Sequence, residues 1–348
     1  MVYRKRPTPF FNTPCVGHLK ERNNPVMEVE TKVPSECFEK VFDDLEVVLG
    51  WETGYDSLHA TPAFIRQAAA LERLIWSPLC SQNLSGYLVN TLSADLPQDA
   101  KKIGICVKGC DSRSLTALIQ EKFISRERLF IVGIPCRGIV DPRRLMRLKP
   151  RLKEIRSLAI DGDELMVETA GGTKRCALND VLSRKCLQCR HPNPVIYDEL
   201  MSEPVPVRGP ADQPFPFVDK LQTYSLDERR AFWETEFDRC IRCYACRNAC
   251  PLCVCQDGCI AETRRPKWLT QKDRLSEKFF FHMIHAFHLA GRCTGCGECE
   301  RVCPMEIPVT LVKEKLNQIV EDLLAYEAGL DPEAKPPLLT FDPSELGV

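Results

Sequence analysis

One run of cysteines, written twice, constrains this 348-residue chain more than any other feature. Cys240-x2-Cys243-x2-Cys246-x3-Cys250-Pro251 recurs 53 residues later as Cys293-x2-Cys296-x2-Cys299-x3-Cys303-Pro304. Cysteines this close on one turn point at a single centre, which suits metal far better than mutual disulfides. In the bacterial run of this register, three cysteines wrap one [4Fe–4S] cluster, and the fourth, before proline, reaches the other. Two [4Fe–4S] clusters are therefore expected, one on Cys240, Cys243, Cys246 and Cys303, the other on Cys293, Cys296, Cys299 and Cys250. Each proline stops the local helix and turns the chain away. Gly295 and Gly297 let backbone N–H groups approach the cluster sulfurs. A pair of structural zinc sites would use the same residue type, but has no need of the shared register.

Twenty cysteines in one chain could also mean a disulfide framework. Such scaffolds are short secreted chains, whereas Met1–Lys20 has a basic start and no continuous apolar core to serve as a signal. Cytoplasm is the expected location, and so many thiols suggest anaerobic life. Net charge is −1, so no overall field draws in nucleic acid. The longest apolar runs, such as Leu129–Ile134, fall far short of the roughly 20 residues a membrane span needs. A basic stretch from Arg143 to Arg156 reads as a solvated face, with an acidic docking partner as the alternative.

The expected architecture is an α/β N-terminal domain with a mostly parallel sheet, followed by a mainly α-helical dicluster ferredoxin-type domain. Residues 1–34 form an extended arm, 35–203 the α/β domain, 204–226 a proline-rich linker, 227–328 the dicluster domain and 329–348 a tail suited to reaching across a partner. Helical periodicity is expected in Phe38, Val41, Phe42, Leu45 and Val48, and again from Thr61-Pro62 through Phe64, Ala68, Leu71 and Ile75. Ile103–Val107 and Leu129–Ile134 read as buried strands around a helix capped by Asp111 or Ser112. Asp161-Gly162-Asp163 marks a hairpin. Proline at 192, 194, 204, 206, 210, 214 and 216 excludes helix and central strand there. In the cysteine-rich part, amphipathic helices are expected with faces Phe279, Met283, Phe287 and Ala290, and Val312, Leu316, Ile319 and Leu323.

The other cysteines leave alternatives open. Cys110 and Cys136 each follow the carboxyl end of a strand, and Cys186-x2-Cys189 comes after a helix ending near Arg184. Strand ends converge in a parallel sheet, so these four either hold a third [4Fe–4S] cluster or are buried thiols. Cys253, Cys255 and Cys259 are either free thiols or ligands of a further cluster. Cys15, Cys37, Cys80, Cys106 and Cys176 read as structural thiols, and His282, His285 and His288 as packing or surface residues of their helix.

Several stretches together resemble the iron–sulfur β-subunits of formate dehydrogenases and deazaflavin-coenzyme-reducing hydrogenases. They are Cys240-Ile-Arg-Cys-Tyr-Ala-Cys-Arg-Asn-Ala-Cys-Pro251, the run 286–304, Val132-Gly-Ile-Pro-Cys136, Lys108-Gly-Cys-Asp-Ser-Arg113 and Cys186-Leu-Gln-Cys-Arg190. The resemblance covers roughly residues 100–310. It implies an electron-transfer subunit that links a catalytic formate dehydrogenase or hydrogenase subunit to an acceptor such as a heterodisulfide-reductase-like flavoprotein. It also implies FAD in the first domain of some members, although no Gly-x-Gly-x-x-Gly fingerprint occurs in this chain. The alternative is a flavin-containing subunit that itself reacts with a soluble hydride carrier, deazaflavin or NAD(P)H.

Overall fold

The computed structural model describes residues 33–92, 101–148, 155–208, 213–255, 259, 270 and 272–340. Residues 1–32 of the expected N-terminal arm, Cys15 among them, and residues 149–154 of the basic stretch lie outside these, and Pro34, the last residue of that arm, starts a helix. A half-buried helix α1 (Pro34–Glu39) leads into β1 (Leu45–Thr53). The β-branched, apolar run of β1 becomes a strand buried on both faces rather than a continuation of the expected helix. β2 (Ala60–Ile65) pairs antiparallel with β1, Pro62 opposite Trp51, where a second helix was expected. β2 is the sheet edge, so the N–H that Pro62 lacks is not missed.

The expected β-α-β unit follows. β3 (Lys102–Lys108), α2 (Gly109–Gln120) and β4 (Leu129–Ile134) form a parallel pair with its crossover helix. The sheet order is β2-β1-β3-β4-β8, with β1, β3, β4 and the two-residue β8 (Glu199–Leu200) parallel. β8 is the one piece of strand in the described part of the proline-rich stretch, and it too lies at an edge. Lys108, not Asp111 or Ser112, is the α2 cap residue. Asp111 instead accepts the Lys108 N–H and pairs with its ammonium at 2.7 Å, both side chains fully buried. α3 (Pro142–Leu148) packs on a three-stranded meander, β5 (Ile155–Asp161), β6 (Glu164–Thr169) and β7 (Gly172–Ala177), which contains the expected hairpin.

After the short helix α4 (Arg184–Leu187) and the proline-rich strap, the chain is helical. α5 (Leu226–Asp238) starts with a Ser225/Glu228 capping box. α6 (Ala245–Asn248), α7 (Leu275–Phe287), α8 (Glu298–Arg301) and α9 (Thr310–Leu324) complete it. The expected faces of the two longer helices are not the buried ones. α7 buries Lys278, Phe281, His282, His285 and Ala286, leaving Phe279 and Phe287 exposed. α9 buries Thr310, Leu311, Lys313 and Glu314, leaving Ile319 and Leu323 exposed. In both, polar side chains facing the cysteines take inner positions that apolar periodicity assigns to hydrocarbon.

Thr31–Val348 forms one compact unit in which both regions pack directly. α2 is the hub. Arg113 donates to Ala328 O, Ser114 bonds Thr294 at 2.8 Å, and Gln120 donates to Asp331 O and Ala334 O. The start of the tail thus lies on this chain's own helix. In the described part of the basic stretch Arg143 donates to Cys303 O and Arg144 to Leu182 O, while Arg147, which pairs with Glu306, and Arg156 are exposed. Among the described residues no helix is long and apolar enough to cross a membrane.

Candidate metal centres

The two cysteine runs fold alike. Arg242 (φ 52°), Tyr244 (59°), Gly295 (67°) and Gly297 (70°) are all left-handed, and each pair maps onto the other across the repeat. Both loops then enter a single helical turn, α6 or α8, which carries the third cysteine. Left-handed backbone costs a residue with a Cβ about 1–2 kcal/mol. The first loop tolerates this because Arg242 is tied to Thr270 O and to the Tyr244 hydroxyl.

Cys240, Cys243, Cys246 and Cys303 line one small cavity beside Phe281 and Met305. Cys243 is exposed; Cys240 and Cys303 are buried. Cys250 packs with Cys293 in a separate apolar cluster, and Cys293, Cys296 and Cys299 all lie within electrostatic reach of it. The fold therefore brings the last cysteine of each run to the other run. Burial pushes the Cys246 and Cys293 thiols up to about 12. A thiol so shifted ionises far more readily against a metal than alone.

Cys110, Cys136, Cys186 and Cys189 meet in a cavity of about 620 Å³ at the carboxyl ends of β3 and β4. Burial pushes Cys110 up to about 12 and Cys189 to about 11. Ile139 N–H donates to Cys186 Sγ. Thr294 and Gly295 of the second run and Glu314 of α9 form the facing wall. Lys185 spans the gap: Nζ donates to Cys296 O at 2.5 Å and lies 4.0 Å from Cys110 Sγ.

Cys253, Cys255 and Cys259 do not converge. Cys255 is exposed and Cys259 packs on Phe281. Cys253 instead sits with Cys250 and His285, all three donor atoms within 4.8 Å of one another, with Cys253 Sγ 3.3 Å from His285 Nε2. The Cys253 contact holds the Cys250 thiol below its ordinary range despite burial. Burial pushes His285 down to about 4 and His282 to about 3, so both are neutral. His282 stacks on Phe237.

Known proteins carry the same two parts. Residues 236–307 match the 4Fe-4S dicluster domain, and residues 100–198 match the C terminus of the coenzyme F420 hydrogenase/dehydrogenase beta subunit. The F420-dependent formate dehydrogenase subunit beta of Methanocaldococcus jannaschii is 23% identical, over 85% of this chain and 90% of its own. The F420-dependent formate dehydrogenase 1 subunit beta of Methanococcus maripaludis is also 23% identical, over 84% and 88%. The chain is similar, in both parts, to the iron–sulfur β-subunits of these dehydrogenases and hydrogenases. A chain of the xenon-derivatised F420-reducing [NiFe] hydrogenase complex of Methanosarcina barkeri is 14% identical at a TM-score of 0.36, over 48% of this chain and 60% of its own.

The residues of this chain fit [4Fe–4S] clusters on a physical test. Lys313 is 2% exposed, and its buried Nζ has no hydrogen-bond partner among the described residues. Its neighbours are the thiols of Cys299, Cys250, Cys293 and Cys246. A buried ammonium needs an anion, and thiolate-bound iron–sulfur centres are anionic. No three of the twelve proposed ligands, all among the described residues, have sulfurs within 4.8 Å of one another, the closeness a single tetrahedral ion requires. Sequence reasoning missed Lys313, Lys185 and the Cys253–His285 contact. Periodicity does not mark Lys313, because the α9 face it shares with Thr310 and Asn317 is polar.

Proposed function

We propose that this chain is the electron-transfer subunit of a multisubunit oxidoreductase. It relays electrons between a catalytic formate dehydrogenase or hydrogenase subunit and an acceptor such as a heterodisulfide-reductase-like flavoprotein. One observation carries the reading: three groups of four cysteines adjoin in series, with Lys313 between the two runs and Lys185 between the second run and the strand-end group. Cys240, Cys243, Cys246 and Cys303 hold one cluster, Cys293, Cys296, Cys299 and Cys250 a second, and Cys110, Cys136, Cys186 and Cys189 a third. When bound, the clusters supply one-electron transfer. The chain's own part is to hold them close, exclude water and balance their charge. Cys243 and Ile241, 61% exposed, mark the end of the series nearest solvent. The α/β region (35–203), the proline-rich connector (204–226) and the dicluster region (227–328) serve as the working units.

Iron and acid-labile sulfide in the anaerobically purified full chain should approach about twelve each, from three four-iron clusters. The double variant Cys110→Ala, Cys136→Ala should lose about four of each. The chain alone should reduce no dye with formate or hydrogen, and should do so once its catalytic partner is added. Cys296→Ala should stop that transfer while leaving the partner's own dye reduction intact. Turnover of formate, hydrogen or NADH by the isolated chain at full rate overturns the reading.

The cavity favours a second reading, a flavin-containing subunit that itself reacts with deazaflavin or NAD(P)H. Its 620 Å³ falls within the roughly 300–1,000 Å³ typical of small-molecule sites. Arg137, Arg190 and Arg208 line it, and guanidinium groups suit the phosphates of FAD. Flavin absorption bands in the purified chain would decide for it.

A further inference from the structure

Resting on the two dicluster sites proposed above, we infer that Lys313 is a positioning residue whose buried ammonium is the shared counter-charge of both cysteine sets and holds their reduction potentials up together. α9 builds it into the site by helical spacing. Thr310, Lys313 and Asn317 lie at i, i+3 and i+7, one face of the helix. Thr310 Oγ1 is 3.3 Å from Cys299 Sγ, and Asn317 Nδ2 donates to Cys293 O at 2.6 Å. The same face thus touches the second run above and below Lys313. Between these two contacts, the ammonium lies within electrostatic reach of Cys299, Cys250 and Cys293 of the second set and Cys246 of the first.

Among the described residues, no carboxylate competes for it. The next residue, Glu314, turns to Arg184 and Gln188. The other described lysines near the cysteines are already engaged, Lys278 by Asp238 O and Asp273, Lys185 by Cys296 O. Of these three, Lys313 alone keeps its charge free for what the cysteines carry. Reduction adds one electron, and one negative charge, to an already anionic centre. A fixed cation in a low-dielectric site favours the reduced state over the oxidised one. Because its three strongest thiol interactions are with the second set and its two side-chain neighbours on α9, Thr310 and Asn317, contact that run, Lys313 should act more strongly there.

The test compares wild type with Lys313→Met and Lys313→Arg in the full chain, with iron counted first and each cluster then titrated by EPR-monitored redox poise. With Lys313→Met, the reduced-to-oxidised ratio at the wild-type midpoint should fall about tenfold at the second cluster, equivalent to ~59 mV for one electron. It should fall less at the first, and Lys313→Arg should stay near wild type. Full iron with unchanged potentials in Lys313→Met overturns the inference. If Lys313→Met loses iron but Lys313→Arg keeps it with wild-type potentials, the charge requirement is upheld. Loss of iron in both variants overturns it, because shape rather than charge then matters. A wild type without iron on the two runs would instead overturn the proposed function itself.

Discussion

Gly297 meets two constraints at once. Its φ is +70°, and a Cβ there would lie 2.8 Å from Lys185 Cδ. Gly295 is equally left-handed (φ +67°), but a Cβ there would meet nothing. Gly295→Ala should therefore cost only the backbone term, about 1–2 kcal/mol. Gly297→Ala should cost more and loosen Lys185 from Cys296 O, a difference that anaerobic denaturant melts would measure. Glu327 offers a pH test at the same scale. Burial raises its carboxyl, but the hydrogen bond from His191 (2.7 Å) and the charges of Arg113 and Arg190 outweigh that and hold it below its usual range. A depressed carboxylate stabilises the fold above its unfolded pKa of about 4.3, and that contribution is lost as pH falls through the folded value. Glu327→Gln should then destabilise by about 1.5–3 kcal/mol at neutral pH. The gap from wild type should shrink below about pH 4, as thermal melts across pH would register. The left-handed glycines are legible in the sequence, since they sit inside the doubled run. Glu327 is not, because its partners are more than a hundred residues away.

Elements meet at a few charged nodes. Arg184 of α4 pairs with Glu300 of α8 at 2.8 Å and with Glu314 of α9 at 3.0 Å, and Glu314 is only 3% exposed. Arg184→Met should cost about 3–5 kcal/mol by leaving a buried carboxylate unpaired. Adding Glu314→Gln should recover part of that, as a double-mutant cycle would measure. The start of α2 is held by close packing instead. A Cβ on Gly109 would run into the carbonyl oxygen of His191, whose neighbour Pro192 accepts the Cys136 N–H. Gly109→Ala should destabilise by about 1–3 kcal/mol and lower iron retention at the strand-end cysteines, checked by metal analysis after gel filtration. The helical period read across β1 and β2 was misleading, whereas the positions of α7 and α9 were readable from periodicity. Their faces were not, because periodicity assumes that inner positions are apolar, and here lysine, histidine and glutamate line a site.

Across the whole molecule, the α/β sheet and the cysteine-rich helices wall a common cavity. Iron removal should act on its two sides unequally. Metal binding and folding are coupled wherever the site is built from loops, so chelation under anaerobic conditions should raise hydrogen exchange around 240–255 and 293–309 while β3 and β4 stay protected. The sequence alone determined what depends on local spacing. It specified the doubled cluster run, the strands β3 and β4 with their crossover helix, the β5–β6 hairpin and the residue types at the strand ends, because each is encoded within a few turns of chain. Tertiary structure decided what depends on distant partners. β1 and β2 are strands because neighbours complete their ladders, Pro62 included at an edge. Cys303 and Cys250 trade runs in space. Cys110, Cys136, Cys186 and Cys189 face one cavity only because β3, β4 and α4 converge. Lys313 can remain buried only where thiols from two loops surround it, since desolvating an ammonium is prohibitive without an anion at hand.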